Sequence, residues 1–111
     1  MIKLYLASIL ALASAGAMAF APASVAVVNG TGGTISNLEI RDAAGGSWTS
    51  LAGSAANGGR VTWSFDDQIC AYDVRATIGG DRQITVRGVN PCDAKLLTLR
   101  RNAETGWVDY D

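Results

Sequence analysis

The stretch Cys70–Ile78, CAYDVRATI, decides the fold class of this chain. Apolar side chains stand at every second position, and charged or polar side chains stand at most of the positions between them. A period of two places alternate side chains on opposite faces of an extended strand. The pattern therefore predicts a β-strand with one face in a core and the other in solvent. The predicted core face consists of Cys70, Tyr72, Val74, Ala76 and Ile78.

The residues after this strand predict a hairpin with the strand Arg82–Val89. A three-residue loop, Gly79-Gly80-Asp81, places apolar side chains opposite apolar ones and opposite charges on the other face. A two-residue loop would instead set Val74 against Thr85 and bury polar groups. The predicted cross-strand pairs are Ala76 with Ile84, Val74 with Val86, Arg75 with Thr85, and Asp73 with Arg87.

Further segments rich in Val, Ile, Thr and aromatic residues alternate with clusters of Gly, Asn, Asp and Ser, and none carries a convincing helical stripe. We expect an all-β domain, a small antiparallel sandwich or barrel of about 6–7 strands. The other candidate strands are Ser24–Asn29, Thr34–Arg41, Trp48–Leu51, Arg60–Phe65, Ala94–Arg101 and Trp107–Tyr110.

Two more turns and a core follow from the same patterns. Asn29–Gly33 is predicted to be a hairpin turn rather than a phosphate-binding loop, because no Lys or helix start follows it. A loop at Ala103–Gly106 would pair Leu99 with Tyr110 and Arg100 with Asp109.

The predicted core is Val61, Trp63, Tyr72, Val74, Ile84, Val86, Leu97, Leu99 and Tyr110.

Residues 1–19 have the pattern of a helical signal peptide. Lys3 precedes a short apolar segment, and Ala17-Met18-Ala19 has small residues at the cleavage positions. The alternative, a retained membrane anchor, is disfavoured because Pro22 and Ser24 interrupt the apolar run. We expect residues 20–111 to be a single exported β-domain, periplasmic or secreted, with no stable membrane insertion after cleavage.

Cys70 and Cys92 are the only two cysteines. An exported chain meets an oxidising compartment, so these residues predict one disulfide bond. The bridge would close a loop of about 22 residues and contribute about 3 kcal/mol to stability. The alternative is a reactive thiol, but the pair lacks C-x-x-C spacing and no basic neighbour would activate a thiolate.

The composition excludes several functions. With 9 basic and 10 acidic residues, the chain has no electrostatic signature of a nucleic-acid partner. It contains no His, which removes Ser-His-Asp and Cys-His catalysis and the commonest metal ligand. Two cysteines cannot build a Cys-rich zinc site. We therefore expect no catalytic residue, no metal and no cofactor.

The remaining candidate sites each have a structural explanation beside the functional one. Asp66-Asp67 could act in acid/base catalysis, but Asp is ordinary in a turn between two strands. Trp48 and Trp107 stand outside the predicted core and are the candidate partner contacts, because Trp is enriched at binding hot spots. Arg75, Arg87 and Arg100 could bind an anion, but Asp73 and Asp109 are available to pair with them.

Three segments carry a resemblance. They read V-x-N-G-T-G-x-x-I-x-x-L-x-I-R at Val27–Arg41, C-x-Y-D-V-R at Cys70–Arg75 and V-N-x-C at Val89–Cys92. Together they resemble a group of small uncharacterised exported bacterial β-proteins that carry a signal peptide. The resemblance implies export and a β fold, and it assigns no catalytic residue.

Three functions remain after these exclusions. The first is a non-catalytic exported domain that binds a macromolecule of the cell envelope or medium. The second is a small hydrolase or lyase that uses carboxylates such as Asp66 and Asp67. The third is a structural subunit that assembles through an edge strand.

Overall fold

The computed structural model describes residues 23–111, so the predicted signal peptide lies outside the described residues. Within residues 23–111 eight strands form, together with a short 3₁₀ helix, Pro91–Asp93. The candidate strand Trp48–Leu51 is present, but it begins and ends one residue later, at Thr49 and Ala52. The strands are β1 (Ala23–Asn29), β2 (Ile35–Asp42), β3 (Thr49–Ala52), β4 (Arg60–Phe65), β5 (Tyr72–Ile78), β6 (Arg82–Val89), β7 (Leu96–Arg101) and β8 (Gly106–Tyr110).

The strands form two four-stranded sheets. Sheet I has the order β4-β1-β7-β8, and sheet II has the order β3-β2-β5-β6. All neighbouring strands are antiparallel except β1 and β7, which are parallel. The prediction of a small antiparallel sandwich or barrel is confirmed as a sandwich, with eight strands in the described residues instead of about 6–7, and the parallel pair is a feature that the sequence did not indicate.

The connection from β1 to β2 is not the predicted hairpin turn, because the two strands belong to different sheets. The side chain of Asn29 is buried, and its Nδ2 donates to the carbonyls of Gly33 and Ala55 at 2.8 and 2.9 Å. Its Oδ1 accepts from the backbone N–H and hydroxyl of Thr31. A buried amide with every partner satisfied fixes this crossover. Gly30 allows it to pass close to β7, since a Cβ there would lie 2.8 Å from Thr98 Cγ2.

The core lies between the two sheets. Trp63, Phe65 and Tyr72 form an edge-to-face cluster, with centroids 5.0 to 6.5 Å apart. Most of the predicted core is confirmed as buried, and Val61 and Val86 are half-buried against it. The prediction was wrong for Tyr110, which is 48% exposed. Tyr110 lies at the end of an edge strand, and its hydroxyl accepts the N–H of Asn90 at 3.0 Å instead of entering the core.

The β5–β6 hairpin has the predicted register, with Val74 opposite Val86, Arg75 opposite Thr85 and Ala76 opposite Ile84. At the end of the hairpin away from the loop, the register shifts between Tyr72 and Val74, so that Tyr72 pairs with Val89. Gly88, at φ 69°, turns its N–H toward Asp73 Oδ1 at 3.2 Å.

The predicted register of the β7–β8 hairpin was wrong by two residues, because Leu99 pairs with Val108 and Leu97 pairs with Tyr110. The loop is 102–105 rather than Ala103–Gly106. Asn102 Oδ1 closes this turn by accepting the N–H groups of Glu104 and Thr105, both at 2.9 Å.

The Cys70–Cys92 disulfide is confirmed, with the two Cα atoms 5.5 Å apart. It ties the segment before β5 to the 3₁₀ helix that leads from sheet II to sheet I. The bridge therefore fixes one end of the sandwich, where the chain changes sheets.

The two open sides of the sandwich differ. On one side β6 and β8 approach each other, and a Cβ on Gly106 would lie 2.6 Å from Ile84 Cδ1. On the other side β3 and β4 show no comparable approach. The sandwich is thus closed along β6 and β8 and more open along β3 and β4.

Candidate functional site

The outer face of sheet II carries a connected group of charged side chains beneath an aromatic ring. The alternation that sends Leu38 and Val74 inward turns the intervening residues of β2 and β5 outward. We call this group the Trp48 surface. It consists of Glu39, Arg41, Trp48, Asp73, Arg75 and Arg87.

Asp73 is the centre of the Trp48 surface and is only 4% exposed. Its carboxylate accepts from Arg41 Nε at 3.0 Å and from the Gly88 N–H at 3.2 Å, and Arg87 Nη1 lies 3.6 Å away. Burial disfavours the charged form, but these hydrogen bonds and the two guanidinium charges outweigh it and lower the pKa of Asp73. Asp73 is therefore a fully partnered, ionised carboxylate.

Arg75 pairs with Glu39 rather than with an aspartate. The two residues lie opposite each other on β5 and β2, and Arg75 Nε donates to Glu39 Oε1 at 2.9 Å. Both side chains are largely covered, at 27% and 17% exposure. This pair holds a second guanidinium against the sheet, diagonal to Arg41.

Trp48 contacts both guanidinium groups. The Cζ atoms of Arg41 and Arg75 lie 4.6 and 4.2 Å from its ring centroid, which is cation–π distance. Because the two arginines extend from the same face of the sheet, the ring that contacts both lies over that face. Trp48 is half-buried as a result. Arg87, the third arginine of this group, keeps 72% of its side chain exposed.

Trp107 lies elsewhere. Its neighbours in β8 alternate toward the core, so Trp107 projects from the outer face of sheet I, 41% exposed and opposite Arg100. The predicted partner of Arg100 is correct, since its Nε donates to Asp109 Oδ2 at 2.6 Å. Trp48 and Trp107 are thus on opposite faces of the sandwich, and no single flat partner surface covers both.

Asp66 and Asp67 form a turn after β4. Asp66 Oδ1 accepts the N–H of Gln68 at 2.9 Å, and the Asp66 carbonyl accepts the N–H of Ile69 at 3.0 Å. The Tyr72 hydroxyl donates to that carbonyl at 3.5 Å. Burial, and then the nearby charges of Asp66 and Asp42, raise the pKa of Tyr72. This is the turn chemistry that the sequence indicated for the two aspartates.

The part of the chain that the structure describes contains no cluster of acidic and cysteine side chains suited to a metal ion. Nor does it contain a helix long and apolar enough to cross a membrane. The core encloses a cavity of about 10 Å³ lined only by apolar residues, among them Val27, Leu38 and Trp63. That volume is about one water molecule and offers no room for a larger ligand.

Sequence reasoning missed Glu39 and Arg41 as members of this group. The signal was present, because the alternation in β2 already places both residues on the outer face. What was missing was the pairing of β2 with β5, which joins positions 32 residues apart. No local pattern specifies which strand pairs with which at that distance.

No protein-family model matches the sequence, and no curated protein matches it. One solved structure, described as the NMR structure of the protein from Eubacterium rectale, is similar with a TM-score of 0.59 and 14% sequence identity. The similarity covers 81% of this chain and 90% of that chain. At this identity the likeness supports the fold alone.

Proposed function

We propose that this chain is an exported, non-catalytic binding domain that acts through the Trp48 surface on a macromolecule of the cell envelope or medium. The observation that carries the proposal is the stacking of Trp48 on two guanidinium groups, each held by a carboxylate. This arrangement presents an aromatic side chain in a fixed position on an outer face, where the core does not require one.

Energetics support a binding role for this network. Taking Asp73 out of water is costly, and this cost offsets part of the attraction between Asp73 and its arginines. Besides its contribution to stability, the network removes rotational freedom from Arg41, Arg75 and Trp48 before a partner arrives. Binding residues that are already ordered lose less conformational entropy on association. Rigid Trp and Arg side chains are also the types enriched at binding hot spots.

The residue inventory supports the non-catalytic part of the proposal. The sequence has no His, and Asp73 is saturated with partners and has a lowered pKa. A carboxylate in that state is a poor general acid or base near neutral pH. Asp66 and Asp67 are engaged in their own turn, which accounts for them without a reaction.

A capture experiment tests the proposal with a matched control. The immobilised protein is incubated with envelope extract, and the bound material is compared for the native chain, Trp48→Ala and Trp107→Ala. We expect Trp48→Ala to abolish capture and Trp107→Ala to retain it, with both variants melting close to the native temperature. Capture that survives Trp48→Ala would reject the assigned surface.

A second measurement addresses catalysis directly. The purified protein is incubated with envelope polysaccharide and peptide polymers, and the products are analysed by mass. No turnover is expected. Turnover that is lost in Asp66→Asn or Asp67→Asn would reject the non-catalytic assignment and favour a carboxylate-dependent hydrolase or lyase.

A further inference from the structure

The outer edge of β4 is an unprotected strand edge. Within residues 23–111, no backbone hydrogen bond joins Arg60–Phe65 to anything other than β1. The other edges differ, because β3 has only four residues and a register shift, while β6 and β8 lie against each other. Native proteins usually block exposed edges with prolines, bulges or inward charges. Positions 60–65 contain none of these.

The sequence of this edge is complementary to itself. Arg60–Asp66 reads RVTWSFD. Positions equally distant from Trp63 match in chemistry, with a hydroxyl pair, an apolar pair and an opposite-charge pair. These pairs are Thr62 with Ser64, Val61 with Phe65, and Arg60 with Asp66.

We propose that β4 pairs antiparallel with β4 of a second copy of this chain, about a two-fold axis at Trp63. Directly opposed residues in an antiparallel pair lie on the same face of a sheet. The proposed register meets this condition, because the alternation places Arg60, Thr62 and Ser64 on the outer face and Val61, Trp63 and Phe65 on the inner face. Asp66 follows directly after the strand and is exposed.

The two-fold axis makes each favourable contact occur twice. Arg60 of one copy faces Asp66 of the other, and the reverse contact follows from symmetry. Moving the register by two residues in either direction leaves both charges without an opposite partner. In the proposed register the two copies of sheet I, each of four strands, become one continuous sheet of eight strands.

The proposed contact is small. It involves one strand from each copy, so we expect a weak, concentration-dependent dimer rather than a permanent one. A second copy is favoured over an unrelated extended peptide because the charge pattern is satisfied by the strand's own sequence. The Trp48 surface on sheet II stays free in such a dimer, which presents it twice.

Sedimentation analysis of charge variants tests this proposal. The protein, expressed from its full sequence and purified with its disulfide formed, is measured up to millimolar concentration. Arg60→Asp and Asp66→Arg each create two like-charge contacts and should each weaken dimerisation about tenfold. The double variant Arg60→Asp/Asp66→Arg restores complementarity and should dimerise like the native chain.

Mixing the two single variants gives the sharpest result. One carries two negative charges on the edge and the other carries two positive charges, so the mixture should form a heterodimer that is tighter than the dimer of either variant alone. Both substituted side chains, Arg60 and Asp66, are exposed, and circular dichroism verifies that the fold is intact. A native chain that is monomeric throughout would overturn the proposal. Single variants that dimerise as strongly as the native chain would also overturn the proposal.

Discussion

The carboxylate of Asp73 and the guanidinium of Arg41 are joined by a 3.0 Å hydrogen bond across the outer face of sheet II. The bond links the end of β2 to the start of β5, two strands that are far apart in sequence. It also places a full negative charge where only 4% of the residue is exposed to solvent. The ionisation of Asp73 is therefore coupled to folding.

We expect the stability of the domain to fall in acid because of Asp73. Its pKa is lower in the folded state than in the unfolded chain. A carboxyl with a lowered folded pKa stabilises the fold above the unfolded value, near about 4, and loses that contribution as the pH falls through the folded pKa. Urea unfolding at pH 7 down to pH 2 measures this decline. Asp73→Asn should be less stable at pH 7 and show a flatter acid profile.

Asp109→Asn is the matched control for this titration. Asp109 also pairs with an arginine, but its side chain is 52% exposed, and exposed pairs contribute little. Its acid profile should follow the native one. If the stability of Asp73→Asn declined with falling pH as steeply as that of the native chain, Asp73 would not be the carboxyl responsible for acid unfolding.

Val74→Asp should prevent folding. Val74 is 5% exposed on the inner face of β5, and an unpaired charge at that position costs several kcal/mol. Thr85→Asp is the control, since Thr85 is exposed on the neighbouring strand, opposite Arg75. Near-ultraviolet circular dichroism should show native-like tertiary structure for Thr85→Asp and none for Val74→Asp. A native-like Val74→Asp spectrum would contradict the face assignment of β5.

Removing the disulfide should lower the free energy of unfolding by about 3 kcal/mol. The Cys70→Ala/Cys92→Ala variant keeps both sheets but releases the end of the sandwich where the chain passes between them. Urea unfolding of native and variant protein gives the difference. A thiol titration of the unfolded native protein should find no free sulfhydryl, and two titratable groups would contradict the bridge.

Asn29→Ala should destabilise the domain by about 2 kcal/mol, because it removes the four hydrogen bonds that the buried Asn29 amide makes with Gly33, Ala55 and Thr31. Asn29→Asp should be at least as damaging, since a carboxylate cannot donate to the two carbonyls. Asn57→Ala is the control, since Asn57 also contacts the crossover, by accepting the N–H of Gly32 at 3.0 Å, but is exposed to solvent, so its loss should cost less. Thermal melts of the three variants compare these effects, and equal melting temperatures would show that the crossover tolerates the loss.

The elements best predicted from sequence were those whose two faces differ in chemistry. The β5–β6 register followed from the cost of setting Val74 against a polar residue. The same logic failed for β7–β8, where both registers keep apolar residues inside and leave Arg100 within reach of Asp109. There the choice is made by Asn102, whose side chain closes the turn in a way that strand patterns do not encode.

The division of strands between two sheets could not be predicted. Asn29–Gly33 has the composition of a hairpin turn, and only the long-range bonds to Ala55 and β7 reveal a crossover. The Trp48 surface depends on the same long-range information, since β2, the residue before β3, β5 and β6 all supply it. The sequence singled out Trp48 because it lies outside the alternating core pattern. The sequence did not predict that Trp48 stacks on Arg41 and Arg75.

The parallel pairing of β1 with β7 has a consequence for the order of folding. The strand at the start of the described chain finds its second neighbour only in Leu96–Leu99, near the end. Until those residues are free to pair, β1 has β4 alone and its other edge is a template for non-native pairing. Chains dominated by contacts of such high sequence separation fold slowly, in milliseconds to seconds. We therefore expect aggregation during folding to depend on how quickly β1 pairs with β7 rather than on the stability of the folded domain.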